Sequence, residues 1–314
     1  MYRIGIDLGG INIAVGITDD EGKLLTKKSI KTREPGDNAE IITVKMAKFV
    51  LEIIKDFGIT EDDVRSIGIG CPGAVNIDTG EIIYTPNLPY RSYNVREIFA
   101  RYTKLPVYLG NDANCAALGE ATAGGAKGRK SCVAVTLGTG VGGGVIIDGK
   151  IYSGFNCAAG ELGHIVMHRG GRQCGCGRKG CLEAYASATA LINDTKAAAE
   201  ADHDSLIYKN CGGDLSKISG RSAFDAAQAG DDTAKKVVAN YIEELGEGVI
   251  DFINIFQPEA ILIGGGISNQ GDTLLNPLRD YVFKYSYGAN LLPRTEILKA
   301  ELGNDAGIVG AAML

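Results

Sequence analysis

Two segments of this chain, about 130 residues apart, repeat one pattern of strand, glycine-rich hairpin, strand, turn and strand. The first reads GIDLGGINIAVGITDDEGKLL from Gly5, and the second reads AVTLGTGVGGGVIIDGKIY from Ala134. A repeat of this length is too long for a solenoid and indicates a duplicated domain. Helical patterns over 38–57, closed by Gly58, and near 233–257 alternate with strands such as AILIG. The predicted class is therefore α/β, with two similar lobes and a cleft between them.

Composition limits the partners of such a chain. Its 314 residues are 45% hydrophobic and carry a net charge of −6, without a long basic run. An acidic chain of this kind is a poor candidate for binding nucleic acid or an anionic membrane, and no apolar stretch approaches the length of a membrane span. The N-terminal stretch MYRIGIDLGG lacks the features of a signal peptide, so a cytoplasmic location is expected.

The eight cysteines divide into a scattered set and a cluster. Eight cysteines in 314 residues are too few for a disulfide scaffold, and a reducing compartment would keep these cysteines as thiols. The scattered set is expected to consist of small buried side chains: Cys71, Cys115, Cys132, Cys157 and Cys211. The cluster has the pattern Cys174-x-Cys176-x₄-Cys181 and no Cys-x-x-Cys pair, which argues against a redox site.

A histidine near this cluster completes a candidate metal site. Three thiolates and one imidazole fit a structural, tetrahedral zinc site of the Cys₃His type. His164 lies ten residues before the first cysteine of the cluster, and His168 competes with it as the fourth ligand. Four protein ligands leave no position for a reactive water, so a zinc ion here would maintain the shape of the loop.

Glycine-rich loops close both hairpins. Asp7–Gly10 and Leu137–Gly144 occupy equivalent places in the two repeats, and Gly264–Ser268 follows a buried strand. Glycines let backbone N–H groups approach an anion closely, so the two equivalent loops predict a phosphate site facing the cleft. Neither loop is a dinucleotide fingerprint or a P-loop. Asp7, at a strand end, is placed to hold Mg²⁺ through water. The alternative is that all three loops are tight turns only.

An acidic residue opens the helix that follows the strand PVYLG. Asn111 and Asp112 stand at this junction. An aspartate in this position commonly caps the helix, and a carboxylate here is equally suited to accept a proton from a substrate hydroxyl. The residues alone leave both roles open.

The order of the motifs resembles one family. DLGG, GCPGAV, PNLP, NDANCAALGE, LGTGVGGG, ELGHI, CGCGRKGCLE and GGGIS follow one another along essentially the whole chain. This set resembles the ROK family (repressor, open reading frame, kinase) of the actin-like sugar kinase superfamily, and is most similar to its bacterial ATP-dependent glucokinases. The resemblance implies a duplicated actin-like, ribonuclease H-like fold. A small lobe would span residues 1–112 plus about 301–314, and a large lobe with the zinc loop would span 113–300.

The resemblance also implies roles for single residues. Asp112 would be the general base of an ATP:hexose 6-phosphotransferase. The sugar would be contacted by Gly73, Asn87, Asn111, Asp112, Glu161, His164 and Glu183. MgATP would be bound by Asp7, Gly9, Gly10, Ile11, Asn12, Gly138, Thr139, Gly140, Gly264, Gly265 and Gly266. Structural zinc would be held by His164, Cys174, Cys176 and Cys181, with His164 preferred over His168 on the family spacing. A homodimer is expected as well.

One position departs from the family pattern. The usual first loop is Asp-x-Gly-Gly-Thr, and this chain has Ile11 at the place of the threonine. Isoleucine removes a hydroxyl and adds β-branched bulk, so weakened ATP binding or turnover is a hypothesis.

Three alternatives to a glucokinase stay open at this point. Kinases for fructose, N-acetylglucosamine, N-acetylmannosamine or allose share the motif set. Ile11 admits a catalytically weakened sugar-binding homologue. A repressor of the same family is disfavoured, because the sequence begins at the first kinase strand and has no basic patch.

Overall fold

The computed structural model describes residues 1–288 and 291–314 of the chain. The strands are β1 (Tyr2–Leu8), β2 (Asn12–Thr18), β3 (Leu24–Lys31), β4 (Val64–Cys71), β5 (Ala74–Asn76), β6 (Glu81–Tyr84), β7 (Arg91–Asn94), β8 (Val107–Asn111), β9 (Cys132–Leu137), β10 (Val141–Ile147), β11 (Lys150–Ile151), β12 (Ala260–Gly264) and β13 (Glu296–Lys299). The helices are α1 (Ala39–Phe57), α2 (Val95–Phe99), α3 (Asp112–Ala123), α4 (Glu183–Ala186), α5 (Ala188–Ala201), α6 (Leu206–Cys211), α7 (Ser222–Gln228), α8 (Asp232–Phe256), α9 (Asp272–Tyr285) and α10 (Ala306–Ala312).

Two five-stranded sheets follow the same strand order. The first is β3-β2-β1-β4-β8, and the second is β11-β10-β9-β12-β13. In the first, β1, β2 and β3 form an antiparallel meander, and β4 and β8 join in parallel. In each sheet the glycine-rich hairpin joins the first two strands of its repeat, as the sequence predicts. The α/β class and the duplication are confirmed.

Local sequence signals set the long helices. Asn38 caps α1 by accepting a hydrogen bond from the backbone N of Ile41 at 2.9 Å, and Gly58 ends it at φ 81°. The predicted helix near 233–257 is α8, which begins after Asp231 and packs against α7 and α9. The predicted helix bounds are therefore confirmed to within a residue or two.

Contacts divide the chain into two compact units. One comprises Met1–Cys132, Gly144–Gly160 and Glu301–Leu314, and the other comprises Val133–Gly143 and Glu161–Ala300. The sequence analysis predicts a small lobe of residues 1–112 plus about 301–314 and a large lobe of residues 113–300. These two lobes, and the cleft between them, remain predictions. The first unit contains residues 113–132, which include most of α3, and 144–160 in addition to the residues expected for the small lobe.

The C-terminal helix completes the core of the first unit. The fully buried apolar side chains of β1 and β2 are Ile4, Ile6, Leu8, Ile13, Val15 and Ile17. Helix α10 lies directly on β1 and β4, where a Cβ at Gly68 would collide with the carbonyl oxygen of Ala311. Among the described residues, no helix combines the length and the apolar character needed to cross a membrane.

Candidate functional site

The first glycine loop is held by its own backbone and by one threonine. The N–H of Gly9 donates to the carbonyl oxygen of Asn12 at 3.0 Å, and the N–H of Thr32 donates to that of Ile11 at 2.8 Å. The buried hydroxyl of Thr32 donates to the carbonyl oxygen of Gly9 at 2.7 Å. The side chain of Ile11 is 78% exposed. The loop geometry therefore does not depend on a hydroxyl at position 11.

Asp7 precedes this loop on β1. It is half-buried, and Gly307 of the C-terminal segment packs close to its carboxyl group. Burial, and then the negative charge of Asp112, raise the pKa of Asp7 to about 6. A cation beside Asp7 would relieve both effects, because it favours the ionised carboxylate. The residues at this point therefore fit a hydrated Mg²⁺ ion.

The raised pKa of Asp7 predicts a pH-dependent stability. A raised carboxyl pKa means that ionisation disfavours the folded state, so stability falls as the pH rises from the ordinary value of 3.8 to about 6. Asp7→Asn removes this cost. We expect the variant to match the natural protein near pH 4 and to be more stable by about 1–3 kcal/mol at pH 8.

Denaturant titrations in buffer without Mg²⁺, repeated across the pH range, measure this difference. The matched control is Asp62→Asn, a change at an exposed aspartate of the same unit, whose stability should follow the natural protein at every pH. If the free energy of unfolding of Asp7→Asn differs from that of the natural protein by the same amount at every pH, the prediction is contradicted.

Asn111, and not Asp112, caps helix α3. The side-chain oxygen of Asn111 accepts hydrogen bonds from the backbone N–H groups of Ala113 and Asn114, at 2.9 and 3.2 Å. The interpretation of Asp112 as the cap is therefore wrong, because the residue before it fills that place. Asp112 is the first helical residue, and its Oδ1 accepts a hydrogen bond from Ala113 N at 2.9 Å.

Gly73 and Asn87 lie on loops beside this junction. The side-chain N–H of Asn111 donates to the carbonyl oxygen of Gly73 at 3.1 Å. Gly73 has φ 93°, and a Cβ there would collide with the carbonyl oxygen of Tyr84, so the fold itself requires glycine. Asn87 is exposed, and its Cβ would lie 3.9 Å from a Cβ built on Gly10. In the first unit the structure thus places Asn87 close to the first glycine loop and joins Asn111 to Gly73.

Arg91 fastens the loop that carries Asn87. Its Nη1 donates to the carbonyl oxygens of Thr85 at 2.7 Å and Tyr90 at 2.6 Å, which flank Asn87 in sequence. The guanidinium also lies 4.2 Å from the centre of the Tyr84 ring. Neither Arg91 nor Thr32 is identified by the sequence analysis. No local signal marks Thr32, because strand pairing brings it to a loop 23 residues away in sequence.

In the second unit, the loop of Gly138, Thr139 and Gly140 is tied to helix α5 and to Glu183. The N–H of Ala188 donates to the carbonyl oxygen of Gly138 at 2.9 Å, and the hydroxyl of Thr189 donates to that of Thr139 at 2.8 Å. The carboxylate of Glu183 accepts a hydrogen bond from Val141 N at 3.1 Å. A Cβ at Gly140 would collide with that carboxylate.

The third glycine loop follows β12 and lies against the end of β9. A Cβ at Gly265 would collide with the backbone of Leu137, whereas Gly266 faces open space. Gly264 has Ala300 as its nearest neighbour, at 3.2 Å from the Cβ that would be built there. The predicted nucleotide glycines of the second unit therefore start from neighbouring strands of one sheet.

The four predicted zinc ligands come together. The ligand atoms of His164, Cys174, Cys176 and Cys181 all lie within 4.8 Å of one another. The Sγ of Cys174 is 3.6 Å from Nδ1 of His164, and the sulfurs of Cys176 and Cys181 are 3.7 Å apart. A tetrahedral zinc site has sulfur–sulfur edges of about 3.8 Å, from Zn–S bonds of about 2.3 Å. These residues therefore fit zinc in both ligand type and spacing.

The thiols of the cluster differ in their surroundings. Burial raises the pKa of Cys174 to about 12, while a backbone hydrogen bond from Arg178 lowers that of Cys176. The sulfur of Cys174 also lies 3.4 Å from Oε1 of Glu183, which links the cluster to the glycine loop of this unit. His168 pairs with Glu244 at 2.7 Å and lies outside the cluster.

Other predicted residues have simpler surroundings. Glu161 is exposed and precedes a short 3₁₀ turn, Leu162–His164. The N–H of His164 donates to the carbonyl oxygen of Glu161 at 3.0 Å. Of the five scattered cysteines, Cys157 is half-buried, so its predicted burial is wrong; it lies on a loop with exposed neighbours. The other four are buried, as expected.

Comparison with known proteins gives a family match over nearly the whole chain. Residues 3–314 match the ROK family. A glucokinase from Thermotoga maritima is 36% identical over 312 residues, which cover 99% of this chain and 96% of that protein. A glucokinase from Halalkalibacterium halodurans is 37% identical over 322 residues, which cover 100% and 94%. The crystal structure of a ROK family glucokinase from Streptomyces griseus with glucose and AMPPNP has a TM-score of 0.78 at 34% identity, covering 99% of this chain and 98% of that one.

Proposed function

The chain belongs to the ROK family, and from that premise we propose that it transfers the γ-phosphoryl group of ATP to the 6-hydroxyl of glucose. The observation that carries the proposal is the arrangement in the first unit. There Asp112 opens a helix capped by Asn111 and lies within electrostatic reach of Asp7, the residue that begins the first glycine loop. Near-full-length similarity to glucokinases supports the choice of ATP and glucose.

In this mechanism Asp112 accepts the proton of the attacking hydroxyl. The oxygen of that hydroxyl bonds to the γ-phosphorus while the bond to the bridging oxygen of ADP breaks, so the products are glucose 6-phosphate and ADP. Phosphoryl transfer depends mainly on positioning and charge neutralisation, so Asp112 also orients the hydroxyl. Gly73, Asn87 and Asn111 are the proposed sugar contacts of the first unit, and Glu161, His164 and Glu183 those of the second.

The nucleotide would use the glycine loops. Backbone N–H groups of Gly9 and Gly10, with Ile11 and Asn12, would face its phosphates in the first unit, and Gly138, Thr139 and Gly140 would do so in the second. Gly264, Gly265 and Gly266 would contact the adenosine. Mg²⁺, held through water by Asp7, would neutralise phosphate charge.

Zinc would have a structural role in the second unit. Held by His164, Cys174, Cys176 and Cys181, it would supply a rigid tie and no open coordination position. It would fix one ring nitrogen of His164 and leave the other free to face the sugar. The homodimer and the cytoplasmic location expected from the sequence are kept as parts of the same proposal.

The test is turnover of MgATP with a panel of hexoses and amino-hexoses. ADP release is measured in a coupled assay on zinc-loaded protein. High kcat/KM for glucose and low values for fructose, allose and the N-acetylated sugars are expected. Preference for another sugar would overturn the choice of glucose. No turnover together with sugar-dependent thermal stabilisation would identify a sugar-binding homologue that has lost catalysis.

Restoring the family residue at position 11 tests whether Ile11 weakens ATP binding or turnover. Because Thr32 and the backbone already hold the loop, Ile11→Thr should leave stability unchanged. A new hydroxyl facing the phosphates should lower KM for ATP by about three- to tenfold, the effect of one hydrogen bond. Steady-state kinetics with varied ATP measure this, and Ile11→Val, which keeps the shape without the hydroxyl, is the control. Equal KM and kcat in all three proteins would contradict the hypothesis that Ile11 weakens ATP use.

A further inference from the structure

Lys31 ends strand β3 directly opposite Asn12, the residue that begins β2 after the first glycine loop. The next pair toward the loop is joined by a backbone hydrogen bond, from the N–H of Thr32 to the carbonyl oxygen of Ile11 at 2.8 Å. Hydrogen-bonded and non-hydrogen-bonded pairs alternate along an antiparallel ladder, so Asn12 and Lys31 form a non-hydrogen-bonded pair, the kind with the closer side chains. The side chain of Lys31 therefore starts beside the first glycine loop.

The same face of the sheet carries Asp7. On β1, Asp7 lies directly opposite Ala14, and Ala14 lies two residues after Asn12 on β2. Residues directly opposite each other, and residues two apart along one strand, project from the same face of a sheet. Asp7, Asn12 and Lys31 therefore project from one face, at the end of the sheet where the first glycine loop lies.

This face is covered by α10 away from the loop and is open beside it. A Cβ at Gly5 would collide with the carbonyl oxygen of Ile308, and a Cβ at Gly16 would collide with the Ile308 side chain. Asn12 and Lys31, nearer the loop, are exposed. Lys31 is therefore accessible to a ligand that lies on this face beside the loop.

The present partner of Lys31 competes weakly. Its Nζ lies 2.9 Å from Oε2 of Glu34, and the two side chains are 63% and 59% exposed. Exposed pairs of this kind contribute little to stability, because water already solvates both charges. Exchange of the Glu34 carboxylate for another anion would therefore cost little free energy.

Two other lysines near this sheet are less suited to bind a ligand at the loop. Lys27 lies on the same face of β3, but four residues farther from the loop, about 13 Å along the strand, and it pairs with Asp305 at 2.6 Å. Lys45 of α1 is half-buried and pairs with Asp37 at 3.3 Å. Of these three lysines, Lys31 is the one placed at the loop.

A donor with several phosphate groups would supply the anion. MgATP retains a net negative charge, Asp7 adds to it, and backbone N–H groups contribute only partial charges. A cation on the face of Asp7 would lower the electrostatic free energy of that complex. We propose that Lys31 binds the phosphate chain of the nucleotide, exchanging the carboxylate of Glu34 for a phosphate oxygen; the identity of this ligand rests on the proposed function.

Calorimetric titration of the zinc-loaded protein with Mg–AMPPNP, an analogue that resists phosphoryl transfer, measures this contact without turnover. Lys31→Met keeps the length of the side chain and removes its charge, so the Kd should rise about tenfold or more, the effect of one hydrogen bond between charged groups. Lys31→Arg restores a charged donor and should return the Kd to within about threefold of the natural value. The Kd for glucose should be unchanged in both variants, a separation that general destabilisation of the unit would not produce.

Two control variants each remove a positive charge nearby. Lys28→Met changes the same strand at a residue opposite the fully buried Val15, on the other face, and Arg33→Met changes an exposed residue two positions after Lys31. Both should leave the Kd for Mg–AMPPNP within about twofold of the natural value. Melting curves establish that every variant is folded. An unchanged Kd in Lys31→Met, or an equal loss in either control, would overturn the assignment.

Turnover with glucose separates this inference from the proposed function. A KM for ATP that rises in Lys31→Met, with an unchanged KM for glucose, would support both. Phosphorylation of glucose with the same KM for ATP in every variant would overturn the role of Lys31 and leave the proposed function intact. No phosphorylation of any sugar, with binding of Mg–AMPPNP that depends on Lys31, would overturn the proposed function alone. No saturable binding of Mg–AMPPNP by the natural protein would overturn both.

Discussion

Asp112→Asn is expected to lower kcat by about 10²–10⁴-fold and to leave the Kd for glucose within about threefold of the natural value. The amide keeps the size and hydrogen-bonding reach of the side chain and removes its ability to accept a proton. Asn111 caps α3 in the variant as before, so the helix should keep its stability. Single-turnover kinetics and calorimetric titration of glucose measure the two quantities separately.

The control for this variant is Asp272→Asn. Asp272 is also the first residue of a helix, α9, and is exposed, so its loss changes the helix electrostatics in the same way without touching the site. It should be fully active. If both variants lose the same activity, or if Asp112→Asn loses glucose binding together with turnover, Asp112 does not act as the base.

Cys176→Ser should abolish zinc binding, lower the melting temperature by about 5 °C or more, and raise the Kd for glucose about tenfold or more. The loop over 165–182 contains no helix or strand. Two isolated antiparallel β-bridges cross it, Val166–Cys181 and Gln173–Lys179. Backbone hydrogen bonds also hold the loop, for example from Leu182 N to the carbonyl oxygen of Ile165, and the four converging ligands would add a tie through the metal. Because Glu183 follows this loop and bonds to Val141, loosening the loop should disturb the glycine loop too.

Zinc content by elemental analysis, melting curves and glucose titrations are measured on the same preparations. Cys157→Ser changes a half-buried thiol outside the cluster and should retain zinc and affinity. His168→Ala tests the competing ligand and should also retain zinc, since His168 pairs with Glu244 instead. Activity that falls while melting temperature and sugar affinity hold would contradict a structural role for the metal.

Several features of the fold could be predicted because residues close together in the sequence determine them. The two glycine-rich hairpins, the helix over 38–57 and its end at Gly58 are read from neighbouring residues, and the structure confirms them. The three cysteines of the cluster could be predicted for the same reason, since they lie within eight residues, whereas His164 is preferred over His168 only on the family spacing. The role of Asp112 could not be separated from capping, because a cap is decided by a backbone angle at one residue, here Asn111.

The sequence by itself determined the duplicated α/β class, the glycine hairpins and the set of candidate ligands, because periodicity and turn chemistry act over a few residues. Only the tertiary structure decided which distant groups meet. Strand pairing brings Thr32 to the first glycine loop, 23 residues away in sequence. The pKa of Asp7 is likewise a product of packing. Burial and electrostatic contact depend on chain segments far apart in sequence, and no local pattern records them.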